Sequence, residues 1–320
     1  MIDIKQEVLL AEKRIRPYIR ETPLDYSFYF SKLANCRVFL KLENLQYTGS
    51  FKVRGAINKL LDLNATQKKA GVVVASTGNH GLAVAYTLGL LNISGAIFLP
   101  ENTSRQKVQM LCNYDIEIRY YGTDCGDTET YARTEARRRG KVYVSPYNDA
   151  KIIGGQGTIG YEVFKQLAAV DVIMVSVGGG GLIAGIAGYI KAIKNGITII
   201  GCLPQNSPVM YESIKAGRIA DLPTSPTLSD GTAGGIENEA ITFEPCRNYV
   251  DDWVLVDENE IRQGIRQVFE QHRQVIEGAA GVVVAALLKM KANLKSKNVA
   301  LVICGGNIEL STFKDIVFRK

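Results

Sequence analysis

The sequence predicts an α/β protein built on parallel β-sheet with helices on both faces. Three observations carry that expectation. Short, almost continuously apolar stretches at 38–42, 71–75, 95–99, 116–120, 172–177, 198–203 and 298–304 read as strands buried on both sides. Helix-period segments lie between them at 55–63, 81–91, 104–112, 127–139, 182–194 and 278–291, so strand and helix alternate along most of the chain. Glycine-rich loops follow three of the strands: Ser76-Thr-Gly-Asn-His-Gly81, Gly178-Gly-Gly-Gly181 and Gly305-Gly-Asn307. Open α/β sheets bind ligands at the carboxyl ends of their strands, and three such loops point to one crevice there.

Composition narrows the class. A chain of 320 residues can bury a large core and, by length, suggests two domains. Hydrophobic residues at 46% and charged residues at 22% suit a soluble globular enzyme. The net charge of +6 is mild and scattered, apart from Arg133 and the run Arg137, Arg138 and Arg139, which share a helical stretch with Glu129 and Glu135. That cluster reads as a solvated helix face rather than a nucleic-acid patch, and no interleaved aromatic and basic pattern supports single-strand binding. The six cysteines lie far apart without a Cys-x-x-Cys pair, which argues against a disulfide framework or zinc knuckle and for a reducing compartment. His80 and His272 are too few for a histidine-based metal site. The charged, amphipathic N-terminus lacks a signal peptide's apolar stretch, and no run is apolar enough to span a membrane. A cytoplasmic protein with neither nucleic-acid nor membrane partners is expected.

The stretch with the strongest local signal is VIMVSVGGGGLIAGIAGYI, residues 172–190: an apolar strand, four glycines, then an amphipathic helix. Glycine lets a backbone approach an anion, and the helix start offers free N–H groups and a positive dipole end. A dinucleotide would need an acidic residue at the end of the next strand, but that strand ends Gly201-Cys-Leu-Pro204. A triphosphate loop would need Gly-Lys-Ser/Thr, but Gly181 is followed by Leu182 and Ile183. A cofactor with a single phosphate fits best; tight strand-to-helix packing without a ligand is the alternative. The loop at 76–81 repeats the arrangement, and its amides with Ser76 and Thr77 suit a carboxylate, while Asn79 suits a phenolate-like oxygen. Either polar residue also serves as an ordinary cap. His80 reads as a structural hydrogen-bonding residue. Cys304 ends a very apolar strand, as a weakly polar group at the crevice mouth or as an inert buried thiol.

Lys52 is the odd residue. It follows Gly49, Ser50 and Phe51 at a helix start, where the macrodipole disfavours a cation. The same dipole, with burial, lowers an amine's pKa and makes it reactive near neutrality. A monophosphate site, an anion loop and such a lysine together suit pyridoxal 5′-phosphate held on Lys52 as a Schiff base.

ENLQYTGSFKVRGA, STGNHG, SPYNDAKIIGGQGTIGYE, VGGGGLIAGIA, IEGAAGV and CGGN, in this order, resemble the fold-type-II pyridoxal-phosphate enzymes over residues 15–311. The resemblance is to the threonine/serine dehydratase and serine racemase branch. NSPVMYESIKAGRI and LSDGTAGGIE are further similar to the dehydratase-like enzymes of hydroxyectoine utilisation. The resemblance implies two open, mostly parallel twisted sheets, with a small domain at 71–145 inserted in a large one formed by 1–70 and 146–320. It implies Lys52 as the Schiff-base lysine beside Phe51. Gly178, Gly179, Gly180, Gly181 and the Leu182 amide would cradle the phosphate. Asn79 would meet the ring hydroxyl and Cys304 the ring nitrogen. Ser76, Thr77 and the amides through Asn79 and His80 would take the substrate carboxylate. The implied activity is β-elimination of water from a small β-hydroxy amino acid, giving a 2-oxo acid and ammonia, in a homodimer.

Departures qualify the likeness. Metal-binding members carry carboxylates where this chain has Leu203 and Val209, so no divalent-cation site is expected. Thr77 stands where the racemases have a serine acid/base, which keeps a hydroxyl and leaves racemisation as the alternative reaction. With the sequence running to Lys320, no separate regulatory region is expected, unlike in the long allosteric threonine deaminases. A non-catalytic cofactor-binding regulator is the alternative of another class. The segment 204–248, rich in prolines and turns, reads as a surface excursion or an active-site flap, and substrate contacts are expected near Thr128, at 146–148 and at 229–235.

Overall fold

The computed structural model describes residues 2–318. The expected large-domain segments, 1–70 and 146–320, each reach one end that lies outside the described residues. Ten strands occur among the described residues: β1 (Leu24–Tyr26), β2 (Arg37–Leu42), β3 (Val72–Ala75), β4 (Gly95–Leu99), β5 (Glu117–Tyr120), β6 (Val142–Tyr143), β7 (Val172–Ser176), β8 (Thr198–Pro204), β9 (Asp252–Val256) and β10 (Asn298–Ile303). They form a six-stranded sheet in the order β1-β2-β10-β7-β8-β9 and a four-stranded sheet in the order β5-β4-β3-β6. Every pairing is parallel except that of β1 with β2. The seven strands expected from apolar runs are present within a residue or two of their predicted limits.

Three strands escaped the apolar-run criterion for a physical reason. β1 is a partly exposed edge of three residues, and β6 is only two residues long. β9, DWVLV, starts with an exposed aspartate and alternates in burial as the opposite edge of the large sheet.

The core divides with the sheets. The larger apolar cluster surrounds β2, β10, β7 and β8, where Val299, Leu301, Ile173 and Val175 are fully buried. The second packs the four-stranded sheet against the helix Lys52–Asp62, joining Val72, Val74 and Ile97 to Val53, Ile57 and Leu60. That helix packs chiefly on the helices Ala150–Gln166 and Asn79–Leu91. It meets the first of them at backbone distance: a Cβ on Gly155 would sit 2.6 Å from the Gly55 Cα. Glycine is required at this crossing.

Buried charge fixes the same helix. Arg54 is fully buried and forks onto both Glu43 (2.7 and 2.8 Å) and Glu162 (2.7 and 2.9 Å). Lys41 adds a 2.5 Å bond to Glu162, and Arg16 another at 2.7 Å. These ligatures tie β2, the turn after it, and the helices at 52–62 and 150–166 into one frame. No helix among the described residues is long and apolar enough to cross a membrane.

Candidate active site

The strand ends converge as parallel topology requires. β10 leads into Cys304, β7 runs into the glycine run, and β3 leads into the loop 76–81. All twelve site residues named from the sequence line one cavity of about 670 Å³, well within the range of small-molecule sites. Each wall has its own construction.

Lys52 is the first residue of its helix, preceded by Phe51. The loop before it is stitched to the end of β10: the Phe51 N–H donates to the Cys304 carbonyl at 3.0 Å and the Gly306 N–H to the Gly49 carbonyl at 2.9 Å. Ser50 and Gly305 form an isolated antiparallel bridge between these bonds. The Lys52 amine donates to the Pro146 carbonyl at 2.9 Å and lies 5.2 Å from the centre of the Phe51 ring. Burial pushes its pKa down to about 8, with the nearby Glu277 carboxylate opposing the shift.

The glycine run makes the anion wall. Gly180 caps the helix Gly181–Ile193 with φ of +85°, and a Cβ there would stand 2.8 Å from Met210 Cε. Thr242 Oγ1 donates to the Gly179 carbonyl at 2.7 Å and Cys246 Sγ approaches the Gly180 carbonyl at 3.9 Å. The first amides of the helix have no intrahelical acceptor and sit at its positive end.

On the facing wall, Asn79 begins the helix Asn79–Leu91. Its Nδ2 donates to both oxygens of Glu277 at 2.8 Å, and its Oδ1 accepts from Asn307 Nδ2 at 2.7 Å. Glu277 is buried, and burial pushes its carboxyl up to about 7 despite the Asn79 bond and the Lys52 charge. Cys304 lies between Ser176 Oγ (3.4 Å) and Glu277 Oε1 (3.9 Å), and burial raises its thiol far above the usual range. It is neutral. The His80 Nε2–H donates to the Val144 carbonyl at 3.0 Å, and burial holds its pKa down at about 3, so the ring is uncharged at neutral pH. Ser76 and Thr77 are half-buried residues of the cavity lining, and the Ser76 Oγ accepts from the Gly78 N–H at 3.3 Å.

The sequence reading missed several lining residues. Glu277, inside the quoted IEGAAGV, was not singled out, although a carboxylate opening an apolar helix is the signal that marks it. Tyr147 falls within the substrate-contact stretch expected at 146–148, whereas Asn307 and Glu237, both inside quoted motifs, were given no role for want of any local pattern. Arg133 needs a correction. It was read as part of a solvated face, but it turns to the cavity and bonds Glu129 (2.7 Å) and Glu237 (2.5 Å) over the Tyr143 ring. Its neighbours Arg138 and Arg139 do lie on the surface, paired with Glu135. The segment 204–248 carries the helix Val209–Ala216 and most of the helix Phe243–Tyr249, and its residues 230–237 line the cavity.

Residues 15–305 match the family model described as "Pyridoxal-phosphate dependent enzyme". The chain belongs to that family. Among its relatives, L-threonine dehydratase catabolic TdcB of Escherichia coli strain K12 is 38% identical over 312 residues, covering 97% of this chain and 94% of that one. The structure of maize serine racemase superposes with a TM-score of 0.92 at 31% identity, covering 96% of this chain and 94% of that one. Threonine deaminase isoform 2 of Solanum lycopersicum gives 0.93 at 29%, covering 98% and 92%. The residues present fit pyridoxal phosphate. A glycine run with a left-handed Gly180 opens a helix toward the cavity, and a desolvated amine stands in the same cavity, as a phosphate-bearing aldehyde requires. Among the described residues no group of three metal-ligating side chains occurs, and Leu203 and Val209 are buried apolar contacts.

Proposed function

We propose that this pyridoxal-phosphate enzyme is a lyase of the threonine/serine ammonia-lyase type, removing water from a small β-hydroxy amino acid to give a 2-oxo acid and ammonia. The observation that carries the reading is the meeting of Lys52, the glycine run and the neutral Cys304 thiol in one cavity, in a chain whose relatives include an L-threonine dehydratase. Lys52 would hold the cofactor's aldehyde carbon and residues 178–182 its phosphate. Phe51 would flank the ring, with Asn79 at its hydroxyl and Cys304 at its nitrogen. When bound, the cofactor supplies an electron sink for the charge released at the substrate's Cα.

The chain's own groups do the rest. The Lys52 amine, with its pKa near 8, takes the Cα proton near neutral pH. Ser76, Thr77 and the amides through Asn79 and His80 bind and orient the substrate carboxylate. A neutral Cys304 at that position would give the ring nitrogen no counter-ion, a setting that would favour loss of the β-hydroxyl over transamination. The Thr77 hydroxyl is a second proton-carrying candidate, and it supports racemisation as the alternative outcome. We further infer that residues 71–145 move as a small domain that closes the cavity, and that the enzyme is a cytoplasmic homodimer. Light scattering of the purified holoenzyme checks the last assembly.

The test is a panel of L-threonine, L-serine and 3-hydroxyaspartate assayed for ammonia and 2-oxo acid, with D-isomers measured alongside. Stoichiometric 2-oxo acid and ammonia are expected from at least one of them. D-isomer without 2-oxo acid would move the assignment to a racemase, and neither product would remove it.

A further inference from the structure

Part of the cavity wall, outside the residues assigned to the cofactor and the substrate carboxylate, has a charge pattern that the elimination chemistry does not use. Its lining holds two cations, Lys107 and Arg133, and four carboxylates, Glu129, Asp230, Glu237 and Glu309. Both cations are already engaged. Arg133 is bonded by Glu129 and Glu237 and covered by the Tyr143 ring, whose centre lies 4.4 Å from the guanidinium carbon. Lys107 pairs with Asp230 at 3.2 Å.

Glu237 is fixed on every side. Its Oε2 accepts from Asn148 Nδ2 at 2.7 Å, and its Oε1 accepts from Arg133 and, at 3.5 Å, from Ser145. Its own N–H donates to the Tyr147 hydroxyl at 3.0 Å. Tyr147 adjoins Pro146, whose carbonyl holds the Lys52 amine, so this cluster flanks the reacting end of the cavity.

We propose that the Glu129–Arg133–Glu237 cluster decides which substrate side chains enter, turning away a second carboxylate and leaving uncharged and cationic side chains as the accepted class. The proposal deepens, and rests on, the ammonia-lyase reading. An arginine facing a cavity ordinarily invites a carboxylate through paired hydrogen bonds. Here a substrate carboxylate would have to displace Glu237 or Glu129, leaving that acid unpaired in a half-buried place, and would enter a wall already in carboxylate excess. An uncharged side chain disturbs none of these bonds.

Isothermal titration of the holoenzyme with two amine-free analogues, L-malate and 2-hydroxybutyrate, reads this selectivity without turnover. The wild type is expected to bind 2-hydroxybutyrate at least about tenfold more tightly. Glu237→Gln removes one charge and loosens the claim on Arg133, so the gap should narrow at least about threefold; Glu129→Gln serves if that variant does not fold. Arg133→Met should widen the gap. The ratio of kcat/KM for 3-hydroxyaspartate and L-threonine should move in parallel. Malate bound as well as 2-hydroxybutyrate by the wild type, or an unchanged gap in the glutamine variant, overturns the proposal. Absence of any 2-oxo acid from the amino-acid panel overturns the ammonia-lyase reading instead, and leaves the titration to judge the selectivity.

Discussion

Asn79 and Glu277 face each other across the cavity, joined through both carboxylate oxygens at 2.8 Å. One belongs to the helix after β3 in the four-stranded sheet, and the other opens the helix Gly278–Met290 beside the six-stranded sheet. The bond spans the two halves of the molecule at the place where the ring hydroxyl of the cofactor is expected.

Glu277 makes the apoprotein's stability depend on pH. Its carboxyl titrates near 7 in the native state against 4.5 when free, so the native state keeps a proton that the unfolded chain releases between those values. Stability is therefore lost as pH rises from 4.5 to 7, by an amount on the order of 3 kcal/mol for a fully desolvated group. Urea denaturation of Glu277→Gln should show the variant gaining on the wild type through that window and keeping its advantage above it. Parallel curves from pH 4 to 8 would contradict this.

Lys52 titrates in the opposite sense. Its amine is lowered from 10.5 to about 8, so the unfolded chain holds a proton between those values that the native state has shed. Wild-type apoprotein should grow more stable from pH 8 upward. Lys52→Met should lack this slope and be the more stable protein below pH 8.

Covalent chemistry gives a second test of the same residue. Borohydride reduction of the holoenzyme should attach the pyridoxyl group to the peptide that contains Lys52, read by mass spectrometry. Lys52→Ala should lose the cofactor's bound visible absorbance and about 10²–10⁴-fold or more in turnover. A labelled peptide elsewhere would reassign the site.

Arg54 carries the frame beneath that lysine. Arg54→Met would leave Glu43 and Glu162 buried without their main partner, a defect of roughly 3–5 kcal/mol. Chemical denaturation should register it, and cofactor retention should weaken because the helix bearing Lys52 is no longer pinned. A loss below about 1 kcal/mol would mean that Lys41 and Arg16 suffice.

Gly180→Ala probes the anion wall. The backbone there is left-handed, and the new methyl would meet Met210 at 2.8 Å and Cys246 at 3.0 Å. Strain of roughly 1–3 kcal/mol is expected at such a position. Equilibrium dialysis should show cofactor affinity falling about tenfold or more.

What the sequence disclosed, and what it hid, follows from the range of the interactions. Strands buried on both faces leave apolar runs, so β2, β7 and β10 were visible, while β1 and β9, at exposed edges, and the two-residue β6 were not. The glycine run and the 76–81 loop were legible because a strand, a loop and a helix start are neighbours in sequence. The walls between them were not. Asn79 and Glu277 are separated by 198 positions, Arg133 and Glu237 by 104, and Lys52 and Pro146 by 94. No local periodicity encodes such pairs. Arg133 misled because a helix face of alternating charge looks the same whether it meets water or a carboxylate from another lobe.

The bridge between Ser50 and Gly305 has a consequence for changing this enzyme's substrate range. It welds the lysine and the thiol onto a single jaw, so their spacing survives rearrangements of the opposite side. The segment at 230–237 and the helix Cys125–Arg138 supply other parts of the cavity lining. Re-cutting them should retool which molecule is gripped while the blade itself keeps its setting.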